Sequence, residues 1–203
     1  MAENTATRGE GVVISLVPGE SRAGLGARTD DELMLLAAGG SAEAFGVLIG
    51  RHESRLLTFC TRMVGDKDVG REVAQEILLE LWRNADRYKP MGLFKAYLFT
   101  LAANRAKNAH RRRRPEPRSP DSVAAEAAVD PDQLTLLLQQ ERQRRLNEAI
   151  SHLPERQRAA VLLRLQEGLP YEAIGEATGA PVRTVRSWIF HAIRRLRIEL
   201  EGL

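Results

Sequence analysis

The sequence predicts an all-α protein of two small helical domains joined by a flexible linker. Helix formers such as Ala, Leu, Glu, Arg and Gln dominate the 203 residues, whereas aromatic residues make up only 5%. This composition favours packed helices over sheets, which are rich in aromatic and β-branched residues. Between two stretches of helical periodicity lies a segment rich in proline, serine and acidic residues, which cannot bury a core. The predicted domains are residues 29–114 and 133–203, with the linker at 115–132.

The first 28 residues have no helical period and contain several helix-breaking residues, namely Gly11, Pro18, Gly19, Gly24 and Gly26. This pattern is typical of a flexible N-terminal tail. An apolar patch at 12–17 leaves a second interpretation open, in which the tail is a docking segment for a partner.

Four helices are expected in the first domain. Thr29 is a suitable N-cap for the first, with acids in its first turn, and Ser41 precedes the second. The third is expected from about 69 to 84, after a break at 66–68 and Gly70, and the fourth from about 94 to 110. The lone cysteine, Cys60, can form no internal disulfide and lies among apolar residues, so we expect it in the core.

Net charge and motifs limit the function classes. The net charge is only +3, but the pI of about 9.3 and the uneven placement of arginine indicate local positive faces. The four histidines are scattered, and no metal-binding, nucleotide-binding or nucleophile motif accompanies them. We therefore expect no enzyme activity, metal or cofactor. No apolar run approaches the roughly 20 residues of a membrane helix and no secretory signal opens the chain, so the expected location is cytoplasmic.

In the second domain, helices are expected from about 133 to 153, 154 to 166 and 170 to 178, and from 182 to 200. The last two, separated by a short turn with Gly179, have inward apolar residues such as Ile174 and Val185 and form a helix-turn-helix. The outward positions of the last helix carry no acid and suit the major groove. They are Arg183, Arg186, Ser187, Phe190, His191 and Arg194. The alternative is a helical hairpin with a solvated basic face.

The helix from Phe94 combines an apolar stripe, in which Tyr97 is expected to be buried, with amides and cations on its other side. Amides suit bases and cations suit phosphates, although such a surface can also be merely solvated. The preceding loop places a flexible Gly92 and an exposed Met91 where an extruded base could be held. The candidate nucleic-acid residues are Lys89, Pro90, Met91, Gly92, Leu93, Lys95, Asn104, Lys107, Asn108 and Arg111, the last opening a run of four arginines.

The helix at 69–84 has two different faces. Its inward stripe is expected to include Trp82 as a core residue. The opposite stripe recurs at three- and four-residue steps and mixes acids with an unburied leucine; it consists of Glu72, Gln75, Glu76 and Leu79. This pattern fits a site for a partner helix with basic character better than a solvated face.

Together these features resemble the extracytoplasmic-function sigma factors of the sigma-70 family, group IV, over about residues 30–200. The segments that carry the resemblance, in order, are VAQE at 73–76, FKAYL at 94–98 with AAN at 102–104, LPERQR at 153–158, GLPYEAI at 168–174 and TVRS at 184–187. Each is weak alone. Their order and the proline-rich linker make the set specific.

The resemblance implies a role for each domain. The first would be sigma region 2, which binds the clamp helices of the polymerase β′ subunit through Glu72, Gln75, Glu76 and Leu79. It would also melt the −10 element, using the loop 89–93 with Asn104, Lys107 and Asn108. The second would be sigma region 4, which reads the duplex −35 element and touches the β flap. Family members are commonly held inactive by an anti-sigma factor, so this partner is expected as well.

Two departures from the family pattern bear on the assignment. Tyr97 stands where tryptophan is usual, and Trp188 and His191 stand where many relatives have arginine, which makes the −35 contacts the least transferable. The rival hypothesis is a helix-turn-helix regulator that binds only duplex DNA and whose first domain senses a ligand or dimerises. Co-purification with core polymerase would distinguish the two.

Overall fold

Helices are the only regular elements in residues 22–112 and 131–201, the ranges that the computed structural model of the protein describes. The first domain contains α1 Arg22–Ala27, α2 Asp30–Ala38, α3 Ala42–Val64, α4 Lys67–Arg83 and α5 Phe94–Arg112, with a 3-10 turn at Ala85–Arg87. The second contains α6 Pro131–Ser151, α7 Glu155–Val161, a π turn at Leu162–Gln166, α8 Tyr171–Thr178 and α9 Val182–Glu201. The predicted all-α, two-domain fold is confirmed. The 113–130 segment, with most of the predicted linker, lies outside the described residues.

Side-chain caps fix where the first helices begin. The Thr29 hydroxyl accepts a hydrogen bond from the Glu32 amide at 3.3 Å, and the Glu32 carboxylate accepts one from the Thr29 amide at 2.7 Å. This capping box satisfies two of the amides that a helix start leaves unpaired. The Ser41 hydroxyl caps α3 by accepting a hydrogen bond from the Ala44 amide. The two N-caps predicted from the sequence are therefore in place.

Helix α4 begins two residues earlier than predicted, because the side chain of Asp66 caps it by accepting from the Asp68 and Val69 amides. Gly70 is consequently inside the helix and is not a break. A Cβ atom at Gly70 would lie 2.6 Å from the Cα atom of Thr61, so glycine is needed here for the close approach of α3 and α4.

The core of the first domain lies around α3, which contacts α2, α4 and α5. The Phe59 and Phe99 rings meet edge to face with centroids 5.4 Å apart, an arrangement that aromatic pairs favour. Cys60 is fully buried beside them, as predicted, and burial raises the pKa of its thiol to about 12. The thiol therefore stays protonated and packs as a small apolar group.

Residues at three places differ from the sequence prediction. Residues 22–27 were predicted to be part of a flexible tail but form helix α1, because Leu25 is buried against α3. The rest of the predicted tail, residues 1–21, lies outside the described residues. Trp82 and Tyr97 were predicted to be core residues, but each is 38% exposed. They lie at the edge of the apolar stripes, where Trp82 packs on Phe45 and Tyr97 on Tyr88.

The helix-turn-helix prediction is confirmed by the packing of α8 and α9. Ile174, Val185 and Ile189 are buried between the helices, and Gly179 takes a left-handed φ of 65° at the end of α8. Such a φ favours glycine because it has no Cβ atom. The preceding helix, predicted as one piece from 154 to 166, instead ends at Val161 and continues as the π turn.

The two domains contact each other, chiefly where α5 meets α8 and where α3 meets α6 and α7. Arg158 crosses from α7 and donates to the Met63 carbonyl at the end of α3 at 2.7 Å, and also to the carbonyls of Ser151 and Leu153. Burial lowers the pKa of its guanidinium. The bond to Met63 ties the second domain to the first, whereas the other two bonds lie within the second domain.

Candidate nucleic-acid interface

Helix α9 presents one open face. All six predicted positions on it are exposed, and Phe190 is 65% exposed. The buried residues of α9, such as Val185 and Ala192, lie on the other side against the second-domain core. Because no acid precedes Glu199 in this helix, its open face can approach phosphates without repulsion.

An aromatic side chain holds one of the predicted DNA-binding arginines. The guanidinium of Arg186 lies 5.1 Å from the ring centroid of Tyr171, and that of Arg164 lies 4.6 Å from the same ring. These distances are typical of cation–π contacts. Tyr171 was predicted only as an inward-facing residue, so its contact with Arg186 is a feature that sequence periodicity did not indicate.

The loop before α5 exposes apolar side chains. Met91 is 69% exposed and Leu93 is 53% exposed, as the sequence predicted for Met91. Gly92, between them, has a left-handed φ of 70° with no atom near the position of a Cβ. Lys89 and Pro90 are exposed as well. Exposed apolar side chains on a loop are available to stack on or enclose a base.

A cavity of about 380 Å³ opens beside this loop. Its first-domain walls are formed by residues of the loop, of the preceding turn and of α5, namely Arg87, Tyr88, Lys89, Met91, Leu93, Ala96, Tyr97 and Thr100. Ala173 and Glu176 of α8 form the remaining wall. The partly exposed Tyr97, predicted as core, therefore faces the candidate site.

Asp31 of α2 anchors the loop from a distant part of the sequence. Its two carboxylate oxygens accept hydrogen bonds from the Tyr88 hydroxyl at 2.7 Å and from the Gly92 amide at 2.5 Å. The sequence indicated Asp31 only as an acid in the first turn of a helix. No local sequence motif indicates contacts with residues that lie 57 and 61 positions further along the chain.

The predicted residues of α5 divide into separate groups. Asn104 and Lys107 line a groove of about 310 Å³ whose other wall is formed by α7 and α8, and the Lys107 ammonium lies 4.0 Å from the Glu155 carboxylate. Asn108 instead lines a groove toward α4 with Glu72 and Glu76. The side chain of Arg111, like those of the following arginines, lies outside the described residues.

Lys95 is engaged with the second domain. Its ammonium donates to the main-chain carbonyl of Glu167 and lies 3.8 Å from the Glu167 carboxylate, which is also 3.4 Å from the Nε atom of Arg55. The Glu167 side chain is fully buried by this contact. Burial raises the pKa of Glu167, although the charges of Arg55 and Lys95 oppose the rise. No sequence pattern pointed to Glu167.

The partner-binding stripe predicted on α4 is exposed along its whole length. Glu72, Gln75, Glu76 and Leu79 all face outward, and Leu79 is 54% exposed. On the flank of the stripe, Glu80 accepts a hydrogen bond from Arg105 of α5 at 2.6 Å. The structure therefore provides an acidic surface with one apolar residue, as the spacing predicted.

The described residues, 22–112 and 131–201, lack two kinds of feature. Within them, no helix is both long and apolar enough to cross a membrane. Among the same residues, no group of three or more histidine, cysteine, aspartate or glutamate side chains is arranged to hold a metal ion.

Comparison with known protein families and relatives identifies the chain. Residues 48–116 match the family model for sigma-70 region 2, and residues 143–196 match that for sigma-70, region 4. The ECF RNA polymerase sigma-E factor of Haemophilus influenzae is 32% identical over 188 residues, which cover 86% of this chain and 97% of that protein. That of Escherichia coli K12 is 32% identical over 173 residues, covering 81% and 90%.

Solved structures show the same fold. CnrH, in its complex with the cytosolic domain of CnrY, aligns with a TM-score of 0.64 and 22% identity, covering 85% of this chain and 97% of CnrH. The sigma factor RpoE of Bartonella quintana, in complex with the anti-sigma factor NepR, aligns with a TM-score of 0.57 and 20% identity, covering 83% and 94%. The chain belongs to the extracytoplasmic-function sigma factors of the sigma-70 family and directs transcription initiation.

Proposed function

We propose that this sigma factor binds core RNA polymerase through α4, captures the single-stranded −10 element with the first domain and reads the duplex −35 element with α9. The observation that carries the proposal is the exposed apolar loop 89–93 beside its cavity, in the same chain as an open helix-turn-helix face. A regulator that binds only duplex DNA needs the second surface and has no use for the first.

Core binding is assigned to Glu72, Gln75, Glu76 and Leu79. Acids around one exposed leucine suit a partner helix with basic side chains, because the leucine supplies apolar burial and the acids fix orientation. We assign the contact to the clamp helices of the β′ subunit, and a further contact with the β flap to the second domain. The proposed domain limits remain 29–114 and 133–203, with α1 packed against the first domain.

Capture of the −10 element is assigned to the loop 89–93 and to Asn104 and Lys107. Met91, Leu93 and Tyr97 offer apolar and aromatic surface for a base outside the stack, and the α5 side chains offer an amide and a cation for the strand. Lys95, Asn108 and Arg111 are further candidates; Lys95 contacts Glu167, and Asn108 lines the groove toward α4. Holding an extruded base lowers the free energy needed to open the duplex.

Reading of the −35 element is assigned to Arg183, Arg186, Ser187, Phe190, His191 and Arg194. Arginine can donate two hydrogen bonds to guanine in the major groove, and the remaining cations can pair with phosphates. The absence of acids before Glu199 supports this orientation of α9.

The proposed location and mode of action follow from the proposed partners. The chain acts in the cytoplasm, where core polymerase and promoter DNA are, and it works by binding without catalysing a reaction of its own. An anti-sigma factor is a further proposed partner, supported by the complex of the similarly folded RpoE with NepR.

Run-off transcription with core polymerase tests the proposal as a whole. We expect specific transcripts only when the chain is added. We expect Glu76→Lys with Leu79→Ala to weaken core binding in a pull-down while leaving the helix folded, because both side chains point away from the domain core. The matched control is Glu148→Lys with Leu137→Ala, which makes the same changes at exposed positions of α6. Unchanged core binding by the α4 variant would contradict the assignment.

A further inference from the structure

The loop that carries the proposed −10 site is held at two points by one carboxylate. The Tyr88 hydroxyl, just before the loop, and the Gly92 amide, within it, donate to different oxygens of Asp31. Asp31 itself is part of the first turn of α2, which the Thr29 capping box fixes. Helix α2 therefore fixes both ends of the segment 88–92, in which residues 89–91 are exposed.

Tyr88 is held from the other side by aromatic packing. Its ring centroid lies 5.8 Å from that of Phe94 and 5.3 Å from that of Tyr97. The residue is buried, and burial together with the hydrogen bond to Asp31 raises the pKa of its hydroxyl well above the ordinary value. The hydroxyl consequently remains a proton donor throughout the physiological range.

The hydrogen bond at Gly92 orients the peptide between two exposed apolar residues. Met91 and Leu93 flank Gly92, whose left-handed φ turns the chain sharply. Without an anchor, exposed apolar side chains on a short loop can turn inward and cover apolar surface nearby. The bond from the Gly92 amide to Asp31 restricts this rearrangement, because it fixes the direction of the peptide between them.

We propose that Asp31 is a positioning residue for capture of the −10 strand: through Tyr88 and Gly92 it holds the loop 89–93 open toward its cavity. The inference rests on the proposed function, since it concerns the shape of that site. Asp31 acts through the loop and is not assigned a contact with DNA. The expected role is selectivity for the −10 sequence, because a preformed pocket loses less conformational entropy when a base enters.

The test uses the full chain with core polymerase and a fluorescent oligonucleotide of the non-template −10 strand, compared with a scrambled strand. We expect Asp31→Asn to reduce the ratio of the two affinities by about tenfold, the effect of losing a hydrogen bond to a charged group. Tyr88→Phe should reduce the ratio of affinities by less than Asp31→Asn does. The double variant should resemble Asp31→Asn alone, because both changes remove the same contact.

Asp30→Asn is the matched control. Asp30 is the neighbouring acid of the same helix turn, but it pairs with Arg51 and His52 and does not touch the loop. We expect it to leave the affinity ratio unchanged. Equal loss of the ratio in both variants would assign Asp31 a general structural role and overturn the proposal, as would full selectivity in Asp31→Asn.

Hydrogen exchange of the Gly92 amide tests the anchoring role of Asp31 separately from the proposed capture of the −10 strand. Asp31→Asn should accelerate this exchange even without DNA, while amides in α3 keep their protection. If exchange at Gly92 is unaffected, the anchoring role of Asp31 is overturned. If the wild-type chain with core polymerase shows no preference for the −10 strand, the proposed function fails, and the positioning role fails with it even where exchange depends on Asp31.

Discussion

The two surfaces proposed to bind DNA differ in how accessible they are. The α9 face is open, with all six candidate side chains exposed. The α5 face is turned toward the second domain, where Lys95 binds Glu167, Lys107 lies near Glu155, and Asn104 lines the groove between the domains. The described arrangement can therefore present α9 to duplex DNA, whereas full access to the α5 surface requires the domains to separate.

The contact between the domains is rich in polar and charged groups. Arg62 donates to the side chains of Asn147 and Gln166, and Arg55 donates to the Gln166 carbonyl. Polar interfaces between domains resemble transient protein–protein interfaces and permit relative motion. The α9 surface is therefore accessible as it stands, whereas access to the α5 surface depends on polar contacts between the domains that a substitution can weaken.

The largest effect is expected from Arg158→Met, which removes three hydrogen bonds to carbonyls while keeping most of the apolar stem. The free energy of unfolding should fall by about 3 kcal/mol, because buried carbonyls lose a charged donor. Urea denaturation followed by circular dichroism measures it. Arg142→Met, at an exposed position of α6, should change it by less than about 0.5 kcal/mol. Equal stabilities of the two variants would show that the hydrogen bonds of Arg158 do not stabilise the fold.

Arg186→Ala examines the open surface. Its loss should weaken binding to the duplex −35 element by about 1 to 3 kcal/mol, the value of a specific arginine contact with a base. Arg195→Ala removes the same charge from an exposed position outside the candidate set and should cost less. Binding to the single-stranded −10 element should be the same in both variants. A comparable loss of affinity in Arg186→Ala and Arg195→Ala would show that α9 binds DNA through general electrostatic attraction and not through a specific contact of Arg186.

The covered surface is examined by Glu167→Lys, which places a third cation beside Arg55 and Lys95. Repulsion should separate the domains and raise affinity for the −10 strand several-fold, with −35 binding unchanged. Glu172→Lys makes the same change in charge at an exposed position of α8 and corrects for the added attraction to DNA. If both variants gain equally, access to α5 is not limited by the domain contact.

A smaller effect is expected from pH. Because burial in the contact raises the pKa of Glu167 above its ordinary 4.5, protonation of this carboxyl group stabilises the contact relative to separated domains. The stabilisation of the contact by protonated Glu167 is fully present below pH 4.5 and is lost as the pH rises through the raised pKa. The radius of gyration from small-angle scattering should increase over that window. Glu167→Gln should remove this dependence, and a dependence that persists in the variant would exclude Glu167 as its source.

Local patterns were enough to predict most of the helices and much of the exposed surface. Thr29 and Ser41 could be recognised as caps, and the spacing of Glu72, Gln75, Glu76 and Leu79 predicted an outward stripe, because both signals lie within a few turns of one helix. Trp82 and Tyr97 were misplaced for a related reason. Periodicity gives the direction of a side chain, but the width of the buried stripe depends on how neighbouring helices pack.

Contacts between distant segments could not be predicted in this way. Asp31 meets Tyr88 and Gly92 only after α2 has packed beside the loop, and Glu167 is buried only because the second domain lies against α3 and α5. In the sequence, both residues look like ordinary surface acids. Similarly, Asn104 and Asn108 lie one turn apart on α5, but they line different grooves.

The most direct test of the central claim compares the affinities of the chain with core polymerase for the non-template −10 strand, for its duplex and for a scrambled strand. Salt should be titrated until the arginine run at 111–114 is screened. We predict that the −10 strand remains the best ligand and that Met91→Ala with Asn104→Ala removes its advantage. Equal affinity for all three ligands, or an advantage that depends only on the arginine run, would contradict capture of the strand by the first domain.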